Sequence, residues 1–146
     1  MEERKFHVGI KALILNDKNE LLVLKTNPAE LKGGKPVHWD LPGGRIKEGD
    51  SVEATLRKEV EEELGVDGSE LEIMRPFDAV LTEMEIPVGD EKVGLVLFTY
   101  LCNLPKKDFR LSFEHVELRW AALEEAKKLL LFKFGKDFVD KLDSLK

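Results

Sequence analysis

Residues 43–66 read GGRIKEGDSVEATLRKEVEEELGV. Val52, Leu56, Val60 and Leu64 recur there at every fourth position, the spacing that lines one face of an α-helix. Gly65 supplies a C-terminal stop, so a helix is predicted from Ser51 to Leu64. At about 100° per residue, Glu59, Glu62 and Glu63 stand at i, i+3 and i+4 and share one side of that helix, while Glu61 points away. Carboxylates so placed repel one another by a few tenths of a kcal/mol per pair in water, and by more where water is excluded. A hard dication removes that penalty. Mg²⁺ and Mn²⁺ prefer oxygen ligands, and Mg²⁺ bridges a few protein carboxylates to substrate phosphates while keeping several waters.

The plainer reading of the same glutamates is a solvated face, balanced by Lys58 with Glu62 and Arg57 with Glu61 at i, i+4. Two features weigh against it. The acidic arc adjoins the apolar stripe, with Glu63 lying angularly between Val52 and Leu56, which places it at the edge of a core. Pro42-Gly43-Gly44 also brings a tight glycine loop to the same region, with backbone carbonyls and amides free to face a metal or a phosphate.

Outward from this stretch, Phe6 to Lys25 reads as two apolar strands joined at Asn16-Asp17-Lys18-Asn19, a predicted hairpin. Thr26 to Val37, with Pro28, Gly33, Gly34 and Pro36, reads as a mobile loop, and Trp39 to Leu41 as a short extended piece. Leu71 to Ile86 and Val93 to Leu104 read as strands around a turn at Pro87 to Asp90, and Leu118 to Ala121 as a further strand. Leu123 to Leu142 has helical spacing broken near Gly135. Strands mixed with one early and later helices point to an α/β layered domain.

A chain of 146 residues that is 42% hydrophobic has room for one compact domain, so residues 1–146 are expected to form a single unit. The single thiol, Cys102, lies in an apolar run and reads as a buried, inert side chain suited to a reducing, cytoplasmic setting. Met1 to Lys5 lead into no signal-like stretch, and no apolar run approaches the roughly twenty residues of a membrane span. A net charge of −6 argues against a nucleic acid polymer as partner but not against a small phosphorylated ligand. The sequence leaves the oligomeric state open, a homodimer included.

The spacing from Gly44 to Val66 resembles the signature of the Nudix hydrolase family, the MutT-like enzymes. Gly44, Glu59, Val60, Glu62, Glu63, Gly65 and Val66 match seven of its nine fixed positions, and both departures, Asp50 for Glu and Lys58 for Arg, keep the charge. Trp39-Asp40-Leu41-Pro42 before this box and Arg119-Trp120 after it also look like the family. The resemblance implies a Nudix-type α/β/α sandwich with a mixed β-sheet. It implies metal ligation by Glu59, Glu62 and Glu63, with the Gly44 carbonyl as a further ligand, and supporting catalytic roles for Asp50 and Lys58. It also implies a metal-dependent pyrophosphohydrolase, in which water attacks a phosphorus of a nucleoside triphosphate or of a nucleoside diphosphate joined to another group. Phosphoryl transfer asks a protein mostly for positioning and for neutralising charge, which suits such a site.

Family members take the general base from the box helix or from a later loop. In Phe113-Glu114-His115-Val116-Glu117 the first candidate is Glu114 and the second Glu117, each otherwise an ordinary exposed carboxylate. Lys32, Lys35, His38, Trp39 and Gly43 are placed to meet phosphate or a base, although a solubilising loop explains the lysines equally well. His7, His38 and His115 lack metal-ligand spacing and read as surface or packing histidines. A nucleotide-sensing module on the same fold is the alternative to an enzyme; the intact glutamates favour the enzyme.

Overall fold

The computed structural model describes residues 2–31, 34–105 and 108–146. Seven strands, β1 (Phe6–Ile14), β2 (Glu20–Thr26), β3 (Trp39–Asp40), β4 (Gly43–Arg45), β5 (Glu72–Val88), β6 (Glu91–Asn103) and β7 (His115–Ala122), combine with three α-helices, α1 (Val52–Leu64), α2 (Leu123–Phe134) and α3 (Lys136–Lys141). One sheet runs β4-β1-β6-β5 and is mixed, because β1 lies parallel to β6 and antiparallel to β4. The other runs β3-β2-β7, antiparallel throughout.

The expected hairpin of β1 and β2 is corrected. The turn forms at Asn16–Asn19, with Asn19 in the left-handed region at φ 58° and the Asn16 side chain accepting from the Lys18 and Glu20 amides. Beyond that turn their pairing is a bridge between Leu15 and Leu21, and the two strands enter different sheets. Their composition explains why both can be covered on each face. Ile10, Ala12 and Ile14 of β1 and Leu22 and Leu24 of β2 pack beneath α1. Leu13, Leu21 and Val23 pack into the core that holds Leu130, Phe134 and Phe138 of α2 and α3. Near-continuous apolar strands of this kind are built for a layer between helices, not for a half-exposed ribbon.

The predicted helix is present as α1. Ser51 caps it, its hydroxyl accepting from the Ala54 amide, and Gly65 ends it in the left-handed conformation at φ 66°. Of the apolar stripe only Val52 is exposed. Arg57 departs from its expected pairing: it reaches back to Glu53 at 3.2 Å and donates to the carbonyls of Gly68 and Leu71. The Gly43-Gly44 pair is strand and not loop, since β4 pairs with β1 through Gly44 opposite Ile10 and Gly43 opposite Lys11. At the start of the first long loop, Asn27 caps a short 3-10 turn at Pro28–Glu30. Cys102 is buried in the middle layer, and burial pushes its thiol up to about 12. Among the described residues, no helix is long and apolar enough to cross a membrane.

Candidate active site

Because β1 and β2 part after the Leu15–Leu21 bridge, a cavity of about 490 Å³ opens between the sheets at their far ends. Gly9 and Lys11 of β1, Thr26 at the end of β2, β4, the acidic side of α1, His115 at the start of β7 and Lys133 of α2 line it. The three box glutamates enter it at different depths. Glu62 is exposed, Glu59 half-buried and Glu63 only 3% exposed.

Glu63 and Glu59 are seated by β4. The Gly43 amide donates to Glu63 Oε1 at 2.7 Å. The Glu59 carboxyl lies so close to Gly44 that a β-carbon there would stand 2.5 Å from Glu59 Cδ, so glycine is what admits it. Burial raises the pKa of Glu59, and the charges of Glu62 and Glu114 raise it further. The Glu63 carboxyl is pushed up to about 8, first by burial and then by Asp40 and Glu59, against the opposing pull of Lys11 and the Gly43 amide. Glu114, although exposed, thus stands near enough to Glu59 to be felt, and it lines the same cavity.

These are all oxygen donors, and their mutual repulsion in a desolvated corner is the electrostatic condition that a hard dication relieves. Among the described residues, no group of three or more Asp, Glu, His or Cys side chains is already closed into an ion-holding cage. The donor set fits a Mg²⁺- or Mn²⁺-type ion that takes the rest of its shell from water and substrate oxygens.

Beneath the glutamates lies an ionic group that sequence reasoning missed. Asp40 is buried between Lys11 Nζ at 3.2 Å and Lys133 Nζ at 2.5 Å, and Lys11 also donates to the carbonyls of Leu41 and Gly43. Burial alone would raise the Asp40 pKa, but the two lysines hold it well below the carboxylate range. Burial pulls both lysines down. At Lys11 the charges of Asp40, Glu63 and Glu59 outweigh it, whereas at Lys133 it prevails. The available signal was a lone charge inside an apolar run: Lys11 in VGIKALI and Lys133 in LLLFKF.

Other sequence candidates are dispersed. Lys35 lines the cavity. Lys32 lies outside the described residues, as does Gly33 of the same loop. Gly43 lines it too, but its amide is bonded to Glu63 and its carbonyl to Lys11. Trp39 is not part of the lining; the Arg119 guanidinium sits over its ring, 4.7 Å from the centroid. Asp50 and Lys58 are exposed and do not line the cavity, and Glu117 is paired with Arg119 at 2.8 Å. His7 meets Arg45 near the surface, while His38 lines the cavity with its Nδ1 2.9 Å from the Pro36 carbonyl oxygen. His115 is buried and not at the surface. Buried at the cavity wall, with its pKa pushed down to about 4 by desolvation, it stands 3.6 Å from Glu63.

The family model described as NUDIX domain matches residues 5–142. The chain belongs to the Nudix family. Among curated relatives, Nudix hydrolase 5 of Arabidopsis thaliana is 31% identical over 121 residues, 81% of this chain and 37% of that protein. The asymmetrical bis(5'-nucleosyl)-tetraphosphatase of Sus scrofa is 36% identical over 98 residues, 66% of this chain and 63% of that protein. The Nudix chain described here thus spans less than two thirds of either relative's length. Among solved Nudix structures, a MutT protein from Methanosarcina mazei Go1 superposes with a TM-score of 0.66 at 25% identity, covering 99% of this chain and 96% of its own. A C. elegans Ap4A hydrolase shares the fold, with a TM-score of 0.64 at 19% identity and 96% of each chain covered. The α/β/α sandwich with a mixed sheet is therefore the Nudix fold.

Proposed function

We propose that this Nudix protein hydrolyses a diphosphate linkage in a nucleoside triphosphate or in a nucleoside diphosphate joined to another group, with Mg²⁺ or Mn²⁺ as cofactor. The observation that carries the reading is the seating of Glu59 and Glu63 against the two glycines of β4, with Glu62 and Glu114 facing the same cavity. Glu59, Glu62, Glu63 and the Gly44 carbonyl would hold the metal, which supplies charge neutralisation at the non-bridging phosphate oxygens when bound. The Gly43 amide orients Glu63 by fixing its Oε1. Lys35 offers a cationic contact to the phosphate chain at the cavity wall. Glu114 accepts the proton of the attacking water; of the two candidates in Phe113–Glu117 it is the one that lines the cavity, whereas Glu117 is turned to Arg119. The protein of Sus scrofa named as a bis(5'-nucleosyl)-tetraphosphatase makes dinucleoside polyphosphates one class to include among substrates.

The test is a turnover screen of nucleoside triphosphates, sugar nucleotides, ADP-ribose and dinucleoside polyphosphates, with Mg²⁺, with Mn²⁺ and with excess chelator. Hydrolysis of at least one class is expected, abolished by chelation and lowered roughly a hundredfold or more by Glu62→Gln or Glu63→Gln. Glu114→Gln is expected to lower kcat with little change in substrate affinity. Full activity in chelator, or unchanged turnover in both box variants, overturns the reading.

A further inference from the structure

Among the described residues, His115 Nδ1 is a buried ring nitrogen with no hydrogen-bond partner. Buried polar atoms are almost always bonded, so an orphan marks either a strained position or a bond completed in another state of the site. Its surroundings argue for the second. The imidazole is 6% exposed, and the oxygen facing Nδ1 is Glu63 Oε2 at 3.6 Å, just beyond hydrogen-bond length. The other oxygen of that carboxylate already accepts from the Gly43 amide.

The backbone around His115 is held from three directions. The Asn27 amide donates to the Glu114 carbonyl at 2.9 Å, the Asn27 side chain donates to the Phe113 carbonyl at 2.7 Å, and the His115 amide donates to the Ser112 carbonyl at 3.4 Å. His115 opens β7 opposite Thr26, across a register shift between Lys25 and Thr26 that locally interrupts the pairing. Such irregularities re-aim side chains next to functional sites. From adjacent positions the chain therefore presents an exposed Glu114 and a buried His115 to the cavity that the box glutamates line.

We propose that His115 is a positioning residue for Glu63: its Nδ1–H donates to Oε2 and, with the Gly43 amide on Oε1, fixes the plane of the carboxylate. This rests on Glu63 being a metal ligand. Ligating carboxylates held by such outer bonds lose about 10- to 100-fold in metal affinity when the partner is removed.

The experiment is Mn²⁺ binding to the full chain without substrate, followed by the paramagnetic resonance signal of free Mn²⁺. His115→Phe keeps the ring volume and removes the donor; His115→Asn places an amide donor near the Nδ1 position, and His115→Gln places one farther out. Mn²⁺ affinity is expected to fall at least roughly tenfold in His115→Phe and His115→Gln and to stay within about threefold of wild type in His115→Asn. If His115→Phe does not fold, the contrast between the Asn and Gln variants decides. Equal Mn²⁺ affinity in wild type, Phe and Gln variants, with Glu63→Gln weakened, overturns the role of His115 and leaves ligation by Glu63 standing. Unchanged affinity in Glu63→Gln removes the ligation itself.

Discussion

Glu63 is a carboxylate whose charge the folded chain resists, and that has a measurable sign. Its pKa stands at about 8 in the fold against an ordinary 4.5, so the folded state holds a proton that the unfolded chain has released between those values. Without metal, stability should therefore fall as pH rises from about 4.5 through about 8, by up to roughly 1.4 kcal/mol per unit, and level off above. Thermal melts in chelator at pH 5, 6.5 and 8 check this by difference, because Glu63→Gln should remove that share of the slope. A difference of zero would show the buried carboxyl to be ionised throughout. Saturating Mg²⁺ should flatten the wild-type curve too, and its binding below pH 8 should release protons. The three helix carboxylates were legible in the sequence because i, i+3, i+4 spacing is a property of one helix. Lys11, Asp40, Lys133 and His115 were not, since they lie on four different elements and converge only through long-range packing.

Strand β4 holds two adjacent glycines to two different ends, and substitution should separate them. At Gly43, φ is 145° and a β-carbon would lie 2.0 Å from the Ile10 carbonyl oxygen, a collision with backbone that only separation of β4 from β1 relieves. Gly43→Ala should cost at least about 3 kcal/mol in denaturant unfolding. At Gly44 the obstacle is the Glu59 carboxyl, the movable end of a side chain. Gly44→Ala should then leave the fold within about 1 kcal/mol of wild type while lowering turnover at least roughly tenfold. Equal stability losses in the two variants would contradict this division. Elements with local signals, α1 between Ser51 and Gly65 and the β5–β6 turn at Gly89-Asp90, were readable from sequence. The partition of β1 and β2 was not, because turn residues specify a reversal of the chain without specifying that its arms stay paired.

At the scale of the whole molecule, Asp40 ties the second sheet to β1 through Lys11 and to α2 through Lys133. Asp40→Asn removes the one carboxylate that both buried lysines contact among the described residues, and should cost about 3–5 kcal/mol in denaturant unfolding. Lys133→Met should cost under about 1.5 kcal/mol, because the Lys11–Asp40 pair survives and Lys133 is already the strained partner. The reverse ranking would put the weight of the junction on α2. The layered architecture also sets what can be timed from outside. Cys102 is the chain's single thiol, it lies in β6 between the helical layers, and its thiolate is suppressed, so a thiol reagent has no route to it while the layers are closed. Labelling in native buffer should be roughly a thousandfold slower than in denaturant, paced by opening of the sheet. Any ligand that binds only the folded form should slow that clock by the factor with which it stabilises the fold, so the sulfur reports occupancy of a cavity it never touches.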